Sequence, residues 1–240
     1  MRNHVPLSNR GVTLIELLVA FVIGAMIVAG IYKVFIAQTK AYTVQDQVVE
    51  VQQNIRSAME ILLRDVRMAG YDGGQTPSKL LTAMFPGDSR TATVSSDAIT
   101  VQYRVNGNLN IKVIYRDAVK ARLMEDWIVE GVEQLGYPVE LLDNVSGLEF
   151  RYGVDGRIDL PETQDGVIDD SNGDGNINEF DFVTAATVSG GNLNPIAVRV
   201  TLTASPAINP DVNPDVKQMV QPRTLISAIS VRNLCLVKTN

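Results

Sequence analysis

The chain has 240 residues, 45% of them hydrophobic, with 21 Lys and Arg against 27 Asp and Glu and a formal net charge of −6. That acidic balance, without any basic stripe, speaks against direct nucleic-acid binding. One cysteine, Cys235, excludes an intramolecular disulfide; one histidine, His4, leaves the rest of the chain without a His base, a Ser-His or Cys-His pair or a His-ligated metal. With no phosphate-cradling glycine motif either, no enzyme is expected.

Residues 1–11 carry Arg2, His4 and Arg10 and lack the apolar core of a secretory leader. Residues 12–31 follow, their only charge Glu16. As a helix rising ~1.5 Å per residue they cover roughly 30 Å, one bilayer core. The span is set at residues 12–32, and the positive charges before it favour a cytoplasmic N-terminus, with everything after Lys33 across the membrane. A carboxylate at Glu16 costs a few kcal/mol on insertion unless it is paired.

Gly11-Val12-Thr13-Leu14-Ile15-Glu16 resembles the prepilin motif of type IV pilins and type II secretion pseudopilins. The resemblance implies a leader of residues 1–11, cut by prepilin peptidase after Gly11, with methylation of the new N-terminus at Val12. It makes Glu16 the family's acidic fifth residue; most members carry Phe or Met where this chain has Val12. The freshly cut α-amino group of a neighbouring pilin is a cation at similar depth, so Glu16 is expected to pair with it and set register between subunits. The plain alternative is an inner-membrane anchor whose glutamate snorkels to the cytoplasmic surface.

Val48, Val51, Ile55, Met59, Leu62, Val66 and Ala69 recur at steps of three or four, the stripe of an amphipathic helix. One helix over residues 12–69, stopped by Gly70, is predicted, its first part in lipid and its second against a head. A soluble coiled coil is the competing reading of the stripe. Residues 70–240 read as mostly β. Ile99-Val101-Tyr103-Val105 and Ile111-Val113-Tyr115 alternate with polar residues around the hairpin signal Asn106-Gly107-Asn108. Alternation returns at Leu148-Phe150-Tyr152, Ile196-Val198-Val200-Leu202 and Ile229-Val231, with Pro206, Pro210 and Pro214 as punctuation, while residues 118–142 fit strand or helix. The expected fold class is α+β and pilin-like: a long N-terminal helix, transmembrane then amphipathic, packed on an antiparallel sheet.

Met68-Ala69-Gly70-Tyr71-Asp72, Leu148-Glu149-Phe150-Arg151-Tyr152, Val198-Arg199-Val200-Thr201-Leu202 and Val231-Arg232-Asn233-Leu234 are similar to phrases of PilW-type minor pilins, relatives of the type II secretion J pseudopilin. That resemblance implies a subunit of the pilus, with other pilins as partners through the N-terminal helix.

Residues 155–181 hold nine acidic residues against Arg157 alone. Such a concentration repels itself unless solvated, neutralised by cations or docked on a basic partner. Within it, residues 170–181 fit the calcium-loop template: Asp170, Asn172, Asp174 and Asp181 at positions 1, 3, 5 and 12, Gly175 at 6, the Asn176 carbonyl at 7 and Asn178 at 9. Ile177 is expected to point inward. Ca²⁺ is the expected cofactor, in a loop similar to those of dockerins, and a membrane-anchored, calcium-dependent binding module is the rival function. A solvated turn cluster is the simpler reading. Two echoes, at residues 155–159 and 165–169, share Asp-Gly-x-Ile and read either as decayed repeats or as turns.

Overall fold

Helix α1 runs Leu14–Arg67, 54 residues without a proline. In this computed structural model, residues 12–72, 84–157, 164–206, 221–231 and 234 are described. The chain divides into two compact units, Met1–Asp46 and Gln47–Asn240, and α1 contributes to both. In the first unit every residue over 12–39 is exposed, and an 18-residue window of α1 reaches a mean hydropathy of 2.7 with none of it buried. This stretch is long and apolar enough to cross a membrane. Two of its hydroxyls bond within the helix: Thr39 Oγ1 donates to the Phe35 carbonyl and Thr43 Oγ1 to that of Thr39, each at 3.0 Å.

In the second unit the stripe on α1 becomes a core face, with Val51, Ile55, Met59, Leu62, Val66 and Ala69 buried. The helix stops where predicted. Met68 and Ala69 donate to Asp65 and Val66 in a tightened last turn, and Gly70 takes a φ of +73° that suits glycine while its N–H reaches the Gln102 carbonyl at 2.9 Å.

The strands in chain order are β1 (Met84–Phe85), β2 (Gly87–Asp88), β3 (Thr93–Val94), β4 (Ala98–Val105), β5 (Asn108–Asp117), β6 (Arg122–Val129), β7 (Val132–Glu133), β8 (Val139–Leu142) and β9 (Val145–Arg157), followed by helix α2 (Ala185–Gly191), β10 (Leu193–Ala204) and β11 (Arg223–Ser230). One sheet has the order β1-β4-β5-β6-β7, with β8 also on β6; a second is β11-β10-β9; β2 and β3 form a small pair. All named strand pairs are antiparallel. The fold is therefore α+β, consistent with a pilin-like arrangement.

Asn106 and Gly107, at φ +53° and +85°, make the two-residue turn that Asn-Gly announces. Residues 118–142, open between strand and helix in the sequence, are β6, β7 and β8, because positive φ at Ala121, Glu130 and Gly131 breaks them into short reversals. In the second sheet Tyr152, Phe150 and Leu148 face Val198, Val200 and Leu202 in register, and all six join the α1 residues in one core. The first sheet gives Ile99, Val101, Tyr103, Ile114 and Leu123 to that core. Its opposite face carries Arg90, 4.8 Å above the Tyr115 ring and paired with the buried Asp126. Pro210, Pro214, Asp159, Glu162 and Cys235 lie outside the described residues.

Candidate functional site

Gly11 lies outside the described residues; Val12, the first residue described, is 76% exposed. Just after it, Thr13 and Glu16 close the free end of α1 reciprocally. The Thr13 N–H donates to Glu16 Oε2 at 2.9 Å, the Thr13 hydroxyl to the same oxygen at 3.0 Å, and the Glu16 N–H to Thr13 Oγ1 at 3.3 Å. This is a capping box, worth on the order of 1 kcal/mol. The Thr-x-x-Glu signal stands in the sequence just ahead of the apolar run, yet from sequence Glu16 reads as an intersubunit partner or a snorkelling anchor residue and not as a cap. Glu16 thus has work inside its own chain, and both side-chain contacts use one carboxylate oxygen.

Further along the same unit, Ala20, Gly24, Ala25 and Ala29 leave a shallow apolar groove flanked by Phe21, Val28 and Tyr32. A Cβ added at Gly24 would meet nothing within 4 Å, so its own fold does not require a glycine there. Small residues at this spacing permit close approach of another helix in a membrane.

The acidic segment starts from a clamp. Asp155, 2% exposed at the end of β9, accepts from the Asp165 and Gly166 N–H groups, each at 2.9 Å; Asp169 Oδ2 accepts from the Gly156 N–H at 2.8 Å. Burial pushes the Asp155 carboxyl above the usual range, partly offset by those two amides. The Asp-Gly-x-Ile echo at 165–169 is used as a turn, with Ile168 lying against Gly153, where an added Cβ would meet its Cδ1 at 3.0 Å.

Residues 170–181 curl around their own carboxylates. Asp170 accepts from the N–H groups of Gly173 (2.7 Å), Asp174 (3.2 Å) and Gly175 (2.6 Å), and the Gly175 amide foremost holds its carboxyl below the usual range. Gly173 and Gly175, at φ +75° and +82°, permit the curl. Asp181 is fully buried; its oxygens accept from the Asn172 N–H (3.2 Å) and the Asn178 N–H (2.7 Å). Position 12 of the template is thus tied back to position 3. Asp174 Oδ2 is instead held by the side-chain amides of Asn172 (3.2 Å) and Asn178 (2.8 Å), and the Asn176 amide turns back to the Asp174 carbonyl at 3.4 Å.

Among the described residues no three His, Cys, Asp or Glu side chains gather as a metal set. An ion here would draw on amide and carbonyl oxygens as well, a hard all-oxygen set that suits Ca²⁺. One expectation fails outright: Ile177 is 49% exposed, because the chain past Asn176 turns into a short 3-10 turn capped by Asn178, and Asp181 fills the inward position.

Residues 7–32 match the prokaryotic N-terminal methylation motif, a stretch that contains Gly11, Val12 and Glu16. The match supports the type IV pilin and pseudopilin superfamily, and with the exposed apolar part of α1 it indicates membrane anchoring. No curated protein and no solved structure matches the chain.

Proposed function

We propose that the chain is a minor pilin: a subunit held in the inner membrane, processed by prepilin peptidase between Gly11 and Val12, methylated on Val12, and taken into a type IV pilus to prime it or occupy its tip. The observation that carries this reading is the methylation motif over residues 7–32 at the head of an unpartnered apolar helix that continues into an α+β unit. Other pilins are its partners, packing on the groove around Gly24. Glu16 then has two successive uses. It caps α1 before assembly, and in the filament its carboxylate meets the methylated amine of a neighbour, a pairing that only a partly desolvated acid makes strong. The head lies outside the cytoplasm. The related reading, a type II secretion J-type pseudopilin, rests on the same motif. Deleting the gene and scoring both surface filaments and protein secretion separates them: loss of filaments supports the pilin, loss of secretion the pseudopilin, and no change in either contradicts both.

A second reading concerns residues 170–181, which we propose take one Ca²⁺. It is favoured by the Asn172 N–H bond that ties Asp181, at position 12, back to position 3, and by the gathering of the Asn172 and Asn178 side chains on Asp174. The chemistry supplied is structural: the cation neutralises a segment of concentrated negative charge.

A further inference from the structure

Sheet faces that meet a helix are normally apolar, yet three ionisable residues lie within this one. Asp65 comes from the last turns of α1, Lys112 from β5 and Glu125 from β6; they are 4%, 9% and 3% exposed. The Lys112 ammonium stands 3.0 Å from Asp65 Oδ2 and 2.6 Å from Glu125 Oε1. Around them the wall is apolar: Ile114 and Val139 flank Glu125 across the strands, and Val101 and Trp127 flank Lys112. With all three ionised the cluster holds two negative charges and one positive, an uncompensated unit charge out of water. Burying such a charge is costly, and one added proton removes it.

We propose that Asp65, Lys112 and Glu125 form a proton-sensitive latch, which holds the last turns of α1 to the β4-β5-β6 face more tightly at mildly acidic than at alkaline pH. The groups facing the latch leave Glu125 as the site of the proton. Burial first, and then the charge of Asp65 and a hydrogen bond with it, push the Glu125 carboxyl above the usual range, against the pull of Lys112. Burial alone would lower the Lys112 ammonium, but its bond to Glu125 and the charge of Asp65 outweigh that and raise it, so it stays charged throughout. Tyr103 on β4 is held neutral, its hydroxyl pushed up chiefly by burial, with Tyr137 contributing from the segment before β8. Arg64 lies 3.5 Å from Asp65 but is 68% exposed, too solvated to neutralise the cluster. Asp126 and Arg90 belong to the opposite face of the sheet.

The sign follows from linkage. A raised carboxyl value in the folded state means that the folded state binds the proton more tightly than the unfolded chain does. The contribution is fully present below the ordinary glutamate value and is lost as pH rises through the raised one. The slope cannot exceed tenfold in the opening equilibrium per pH unit, the limit for one proton.

Amide hydrogen exchange on the full chain in detergent micelles tests the latch. After correction for the intrinsic rate, protection of residues 62–67 and of β5 and β6 is expected to fall several-fold from pH 5.5 to 8 in the wild type. Glu125→Gln, a permanent mimic of the protonated acid, is expected to be flat and at least as protected at pH 8. Should that variant not fold, Asp65→Asn, which leaves Glu125 the sole carboxylate on Lys112, takes its place and is expected to be flat as well. Wild-type protection that is unchanged over this range, or an equal slope in the substituted chain, overturns the proposal.

Discussion

Removing the ammonium from the buried cluster is the sharpest perturbation the head offers. In Lys112→Met the Met side chain fills much of the lysine stem's volume, so little of the effect comes from a void. What is lost is a pair of charge-assisted contacts of 2.6 and 3.0 Å to carboxylates that are 3% and 4% exposed. Taking one partner from a buried ion pair typically costs about 3 to 5 kcal/mol, because the remaining charge has no comparable solvation. Here two carboxylates are stranded, and protonation of one at neutral pH returns part of the loss, so about 4 kcal/mol is expected. That is a large share of the roughly 5–15 kcal/mol that holds a domain together. With a urea m-value of about 2 kcal/mol/M, the midpoint of the unit Gln47–Asn240 should fall by about 2 M. Adding Asp65→Leu and Glu125→Met should bring stability back to within about 1 kcal/mol of wild type, since apolar replacement of a whole buried ion cluster is often neutral. A loss below about 1 kcal/mol in the single variant would refute the reasoning: the three side chains would then be hydrated and no anchor between α1 and the sheet.

Glu16→Ala is expected to leave membrane insertion intact, to lose on the order of 1 kcal/mol of helix capping, and to deplete the chain from sheared filaments; Thr13→Ala, which removes only the cap, should still be incorporated, and equal depletion of both would leave no role between subunits for Glu16. Calcium at about 100 times its Kd should stabilise the head by roughly 2.7 kcal/mol, read as a rise in Tm that chelator abolishes; a wild type indifferent to calcium, or an Asp170→Ala/Asp174→Ala chain that responds equally, removes the ion from residues 170–181. Asp155→Ala takes the acceptor from the half-buried Asp165 and Gly166 amide bonds and should cost about 2 kcal/mol while opening residues 164–169 to proteolysis, whereas unchanged cleavage would show that the clamp holds nothing. Gly87→Ala places a Cβ 2.1 Å from the Thr93 carbonyl oxygen at a φ of +134°, so β2 and β3 must separate, and a variant as stable as wild type would contradict that geometry.

Much of the fold was legible because periodicity reports one-sided burial. The α1 stripe, the Asn106-Gly107 turn and the Phe150/Val200 alternation all express a single core face, and each kept its predicted element. Residues 118–142 were not, because short strands separated by reversals carry too few residues for a period of two to stand clear of 3.6. The cluster of Asp65, Lys112 and Glu125 left no local signal, since its members are far apart in sequence and charged residues read as solvated. At the site, the resemblance to the prepilin motif brought out Gly11, Val12 and Glu16, and the methylation-motif match over residues 7–32 spans all three. The capping role of Glu16 was equally readable but was obscured by the more specific motif. In the acidic segment the template located the curl around Asp170, but it misplaced Ile177, because a template of ligand positions says nothing of what the next turn does with the inward direction.

Intact-mass analysis of the chain extracted from its native membrane tests the central claim most directly. A chain that begins at Val12 and carries one added methyl group is the expected result, since the methylation-motif match over residues 7–32 spans Gly11 and Val12, between which the cut is proposed. A mass that retains Met1, or a cut anywhere other than after Gly11, would contradict the assignment to a pilin-like assembly.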